Sequence, residues 1–341
     1  MENKKIQWIE NLRVIACMSV VMIHVISGWL DVSQNIDIDG FRWILDNVIL
    51  QVLIRHAVPV FIMISGYLLL NPNRVCDIEK IKKYILKTII CIFLFAFIFS
   101  LFENIINYGF NNIALLIGKS FINVIQEESW AHMWYLYMLI GIYILTPILR
   151  KFVKYAKEEE IKFTLLALLI TAFIIPTINN IFGLNITSFY LGNSIFSFIF
   201  YFMVGYYIGN NKIIKEKNIY FWGMIGVIGY VIFCFAKSQF SVELLNNNIF
   251  TCLYSILVYK SFSSGKINFK SNKLIKNIAK YSFGIYIIHT FWLNLLNKGL
   301  NIYPDVLPCF IGETVFFIYA LLFSYISVFI MSKIPFIKNI I

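Results

Sequence analysis

The sequence predicts an all-α, polytopic integral membrane protein with about ten transmembrane helices. Three observations carry that reading. Hydrophobic residues make up 60% of the 341-residue chain and charged residues 14%, with a mean hydropathy of +0.76. A soluble domain is nearer half apolar and a quarter charged. The apolar residues fall in long runs, and a run inside a bilayer must be helical to satisfy its own backbone. Finally, the basic residues between the runs alternate in number, as they do in a chain that crosses a membrane repeatedly.

The runs lie at about 11–30, 44–70, 84–102, 133–149, 162–178, 194–209, 219–236, 248–262, 281–298 and 309–331. The connections leave no room for a large soluble domain, so residues 1–341 read as a single membrane domain. The first run follows MENKK, as a signal peptide would. It is long and lacks a small-residue cleavage pattern, which predicts a retained helix. The fifth contains Pro176, which blurs its end. No internal repeat and no Gly/Ser- or Pro-rich linker interrupts the series. The six cysteines form no CxxC pair and mostly sit in apolar runs, where cysteine acts as a small hydrophobe.

Lysine and arginine cluster before the first run (Lys4, Lys5), after the second (Arg74, Lys80, Lys82, Lys83), after the fourth (Arg150, Lys151, Lys154, Lys157), after the sixth (Lys212, Lys215, Lys217) and after the eighth (Lys266, Lys270, Lys273, Lys276). The intervening loops hold one each (Arg42, Lys119, Lys237, Lys298) or, after the fifth run, none. The positive-inside rule then puts both termini in the cytoplasm of a multi-pass protein of the cell membrane. The net charge of +11 is thereby explained by topology, and a nucleic-acid partner is not expected. Membrane lipids are expected partners, since a basic inner face attracts anionic lipid or an anionic cytoplasmic substrate.

The first run, NLRVIACMSVVMIHVISGWL, carries Arg13 and His24 in an otherwise apolar stretch. Eleven residues make three turns plus about 20°, so both lie on one helix face. They stand about 16 Å apart along the axis, half the hydrocarbon thickness. Each alone has a plain explanation: a snorkelling arginine, or a histidine bonded between helices. On one face they suggest a polar track, because ionisable groups at depth are costly and usually mark a site.

This R-x10-H spacing resembles that of the acyltransferase-3 family of membrane acyltransferases. RHAVPVFIMISGYLLL (55–70) resembles the family's R-x3-P-x-F-F-x-x-S-G-Y segment, with Ile62 where a second Phe is common. WYLYMLIGIYILTPILR (134–150) and YSFGIYIIHT (281–290) resemble its fourth helix and its S-x-x-I-Y-x-x-H helix. The similarity runs in order over about residues 6–330 and is closest to the surface-polysaccharide O-acetyltransferase branch. That branch also resembles the membrane half of vancomycin-resistance serine racemases. No esterase-like or racemase domain is expected after the last helix.

The resemblance implies transfer of an acyl group, acetyl above others, from cytoplasmic acyl-CoA to a hydroxyl of a cell-envelope glycan or its lipid-linked precursor. Acyl-CoA is then a cosubstrate, and no bound cofactor is needed. Arg13 suits a phosphate, bidentately, on the basic side. His24, further out, suits the general base that an alcohol acceptor requires. Arg55 lies four residues before Pro59, which removes a helical hydrogen bond there and favours a kink. Arg55 and Trp134 are expected to line the route, with Tyr135, His289 and Asp31 as further substrate-side candidates. Asp31 falls two turns beyond His24 on nearly the same face. Ser65, Gly66 and Tyr67 read first as close packing and an interfacial aromatic. His56 has no assignable role. The four histidines show no HxxxH or HxxE pairing, so no metal is expected. The rival reading is a transporter for a small polar solute such as an amino acid, which also needs polar residues around a cavity.

Overall fold

A computed structural model describes residues 2–33, 51–110, 112–192, 194–210, 216–236, 247–270, 272–308 and 310–341. All regular structure among them is helical: α1 Glu2–Ser33, α2 Gln51–Ile54, α3 Ala57–Leu69, α4 Ile78–Tyr108, α5 Ile113–Ile125, α6 Ala131–Tyr155, α7 Glu158–Phe182, α8 Ser194–Gly209, α9 Glu216–Ala236, α10 Ile249–Ser263, α11 Lys273–Asn294, α12 Ile311–Met331 and α13 Pro335–Lys338. Each expected run falls on helix wherever it is described. The start of the second run (44–50), Arg42, Lys212, Lys215, Lys237 and Cys309 lie outside the described residues.

By length and composition, six helices among the described residues can cross a membrane: Gln7–Gly28 of α1, Val52–Leu69, α4, α6, α7 and α12. The expected count of ten is therefore not reached on these criteria. Helices α8 and α10 are apolar but short: 16 residues rise only about 24 Å against a ~30 Å hydrocarbon core. Helix α11 starts eight residues before the expected run and takes Lys273, Lys276 and Lys280 into its first turns.

The stretch 103–132, expected as an open loop, is mostly helical. Helix α4 continues to Tyr108 and stops at Gly109, whose positive φ of 66° suits a residue without a Cβ. Asn112 then caps α5, its side chain accepting from Leu115 N at 3.1 Å. The hairpin is zipped by short polar side chains: Asn104 Nδ2 donates to Ser120 Oγ at 2.8 Å, and Asn123 Nδ2 to Ser100 Oγ at 3.0 Å. Hydropathy missed α5 because it is short and broken by Lys119. In α7, a π turn at Ile170–Ile174 precedes Pro176, which can donate no backbone bond, so the helix reorganises instead of ending.

The chain forms two compact units: Met1–Ile26, Asn35–Val75 and Ile148–Lys280 in one, Ser27–Gln34, Cys76–Pro147 and Tyr281–Ile341 in the other. The first is built on a crossing of α3 and α8. A Cβ on Gly66 would stand 1.8 Å from Phe202 O, and one on Gly205 would stand 2.1 Å from Met63 O. The two backbones therefore touch, as small residues allow in membranes. Gly223, Gly226 and Gly229 lay a second bare stripe of α9 against Leu257, Leu253 and Phe250 of α10. Arg150 closes the end of α3 by donating to the carbonyls of Leu69, Asn71 (3.1 Å) and Arg74 (2.8 Å). In the second unit, Gly284 admits Val328 of α12 against α11, and Trp292 Nε1 donates to Ser327 Oγ at 3.1 Å.

These crossings predict an asymmetry among glycines. Gly66→Ala or Gly205→Ala must push two backbones apart and should lose about 1–3 kcal/mol, the usual magnitude for overpacking. Gly118→Ala, with nothing within 4 Å of the new Cβ, should not lower stability. Melting in one detergent checks the contrast, and equal melting of all three variants would refute it.

Candidate functional site

In the first unit the site residues ride on α1 and on the break between α2 and α3. Helix α1 is one unbroken 32-residue helix, so the phase relation of Arg13 and His24 holds. Both are half-buried. Between them on the same face lie Cys17 and Val20, only 1% and 3% exposed. The stripe thus has an accessible polar residue towards each end and a closed apolar middle. The first turns of α1 are strapped down: Gln7 Nε2 donates to Phe269 O at 2.9 Å, and Asn11 Nδ2 to Asn268 Oδ1 at 3.1 Å and Phe269 O at 3.0 Å. Trp8 meets the rings of Tyr67 and Tyr259 edge-on at 5.2 and 5.6 Å.

The expected kink is a full break: Arg55 and His56 form a turn between α2 and α3, both buried. Pro59 sits in the first turn of α3, where a missing N–H does no harm. His56 Nδ1 donates to Leu53 O at 2.8 Å, and the same carbonyl accepts from Tyr254 Oη at 3.1 Å. The His56 ring stands edge-on to Tyr254 at 5.5 Å. His56, which the sequence left without a role, therefore pins the break that carries Arg55.

The second unit holds Trp134, Tyr135 and His289. Asp31, in the last turns of α1, also belongs to this unit, and its side chain lies outside the described atoms. His289 is fully buried, its Nδ1 3.1 Å from Ile285 O. His132 stands beside it, ring centroids 5.6 Å apart. With its proton on Nε2, His132 donates to Ile287 O at 3.0 Å and accepts from the Thr290 hydroxyl at Nδ1, 3.2 Å away. Tyr286 Oη donates to His132 O, and its ring meets Tyr135 at 5.3 Å. Tyr135 is buried in this cluster and Trp134 is half-exposed beside it, rings 6.1 Å apart. Glu103 accepts from Trp130 Nε1 at 2.9 Å and from Lys298 at 2.6 Å, while Trp130 stacks on Phe99 at 4.5 Å.

The histidines that look scattered in sequence thus form one close pair, 157 positions apart, which no local spacing could reveal. His289 carries a sequence signal in the S-x-x-I-Y-x-x-H pattern of its helix, whereas His132 is marked only by its place just before a run. Among the described residues no group of three or more His, Cys, Asp or Glu could hold a metal ion.

Membrane-length helices, a half-buried Arg–His face and buried imidazoles define a class of multi-pass membrane protein with a polar interior. The chain matches the acyltransferase-3 family model, described as an acyltransferase domain, over residues 6–333 and belongs to that family. Curated relatives from Staphylococcus aureus strains MSSA476, MW2 and MRSA252 are each 27% identical over 365 residues, covering 96% of this chain and 96% of the relative. Each is named a probable poly-beta-1,6-N-acetyl-D-glucosamine export protein. No solved structure matches the chain.

The cluster yields a stability prediction. Thr290→Val keeps the shape but leaves His132 a buried acceptor without that hydroxyl, which should lose about 1–3 kcal/mol. Thermal melting in detergent tests it; an unchanged midpoint would show that the hydroxyl contributes nothing.

Proposed function

We propose that this protein moves an acyl group, acetyl above others, from acyl-CoA to a hydroxyl of a cell-envelope glycan. The observation that carries the reading is the R-x10-H pair on one uninterrupted helix, within a family match that spans nearly the whole chain. The name of the staphylococcal relatives favours an amino-sugar polymer as acceptor.

The chemistry follows from the residues. Arg13 holds a phosphate of the donor through its forked donors. His24 accepts the proton as the acceptor oxygen attacks the thioester carbonyl. The C–S bond then breaks, coenzyme A leaves as the thiol after taking a proton, and the glycan ester forms. Arg55, held by the α2–α3 break, is a route-lining residue of the first unit, and Trp134 is a substrate-side candidate of the second. Tyr135 and His289 act through packing, keeping the start of α6 in place. Asp31 remains a substrate-side carboxylate near the end of α1. No cofactor beyond acyl-CoA is required.

The orientation proposed is both termini cytoplasmic, in the plasma membrane, with ten crossings that include the short helices. Lys119, in the half-exposed part of α5, and Lys154, exposed near the end of α6, then lie on opposite sides. Single cysteines at these positions, labelled from outside in whole cells, should react only at 119. Equal labelling would overturn the topology.

Mass spectrometry of envelope glycans with and without the protein should show ester-linked acyl groups only with it. His24→Gln keeps a hydrogen bond but cannot take the proton, so transfer should fall roughly 10²–10⁴-fold, the usual value of a general base. Arg13→Lys keeps the charge and loses the fork, so it should weaken donor binding with expression intact. Unchanged acylation in His24→Gln, or loss of extracellular polymer with its acyl groups unaltered, would favour export over transfer.

A further inference from the structure

Within the first unit, α7, α8, α9 and α10 line an elongated, half-open cavity of about 460 Å³. Its walls are almost wholly apolar, with Leu169, Phe200, Val204, Ile249 and Leu253 among them. The volume falls in the range of true ligand sites. It extends along α7 from Lys162 to Ile174, about 18 Å of helix.

Three side chains with polar atoms, Lys162, Tyr207 and Trp222, break the apolar lining, and they stand towards one end. Lys162 lies in the first turns of α7, and Tyr207 in the last turn of α8. The short connection from α7 to α8 brings the end of one to the start of the other, so these two termini share a side. Ile219, in the first turn of α9, closes the same end. Tyr207 is 3% exposed, and its hydroxyl has no hydrogen-bond partner among the described residues. Such an orphan is destabilising unless a ligand supplies its partner. By contrast, the hydroxyl of Tyr259 in the same unit donates to Gly205 O at 2.9 Å.

We infer that this cavity binds one acyl chain of a membrane phospholipid, whose ester carbonyl accepts from the Tyr207 hydroxyl and whose phosphate faces Lys162. The order of groups along the cavity matches that molecule: an anion outermost, an acceptor-only carbonyl next, then hydrocarbon. Lys162 is already paired with Glu158 at 2.5 Å, so it offers its remaining N–H donors and not a bare charge. That suits a phosphodiester in the leaflet on the Lys162 side. A polyprenyl phosphate has no ester carbonyl for Tyr207. The site is separate from Arg13 and His24, and the inference does not depend on acyl transfer.

Native mass spectrometry of the full chain, purified in mild detergent, tests the site. The wild type should retain one phospholipid. Leu253→Trp fills the cavity and should abolish retention. Tyr207→Phe and Lys162→Gln leave the packing intact and should each weaken it, by up to about tenfold for one hydrogen bond. Retention that is equal in all four proteins would overturn the site, as would a wild type that carries no lipid. Displacement of the lipid by stoichiometric long-chain acyl-CoA, but not by diacyl phospholipid of other headgroups, would instead assign the cavity to the donor chain and overturn the inference.

Discussion

The contact of two bare backbones at Gly66 and Gly205 sets the geometry of the first unit. With no side chain between them, α3 and α8 meet more closely than ordinary helices. Gly205 then presents its carbonyl to Tyr259, and Gly209, one turn further on, makes room for the rings of Tyr67 and Tyr259. Those two rings form the surface on which Trp8 sits. Trp8 belongs to α1, the helix that carries Arg13 and His24. A few missing atoms in α3 and α8 thus decide where the arginine and histidine of another helix are held.

Hydrocarbon offers no hydrogen bonds, and the buried hydroxyls show how the chain manages this. Thr88, Thr146, Thr171, Thr177 and Ser324 each donate to the carbonyl four residues earlier on their own helix. That local solution demands nothing of neighbours. Tyrosine hydroxyls stand too far from their own backbone to use it, and they make long-range contacts: Tyr286 on the backbone of His132, Tyr254 on that of Leu53, Tyr259 on that of Gly205. The tyrosine hydroxyls therefore tie distant segments together, while the five threonine and serine hydroxyls donate within their own turns.

What the sequence made legible follows from the range of each interaction. The shared face of Arg13 and His24 is a matter of helical phase, and the break at Arg55 follows from Pro59 four residues later. The packing role of Gly66 was readable because small residues have few other uses in a membrane helix. The His132–His289 pair and the Glu103–Lys298 pair were hidden because they join residues 157 and 195 positions apart. Helix α5 escaped because its apolar face is short, and its stability comes from Asn104, Ser120 and Asn123, which hydropathy scores as loop. The expected ten runs and the six helices of full membrane length differ for a related reason: hydropathy measures what side chains prefer, whereas the second count also requires length.

The closed middle of the Arg13–His24 stripe has an electrical consequence. A continuous wet path along α1 would let protons run down the membrane potential, at about 2.3 kcal/mol per charge for each 100 mV. Cys17 and Val20 interrupt that path with side chains that hold neither water nor charge. Two ionisable groups can then sit in one helix, parted by a dry stretch, without short-circuiting the membrane that contains them.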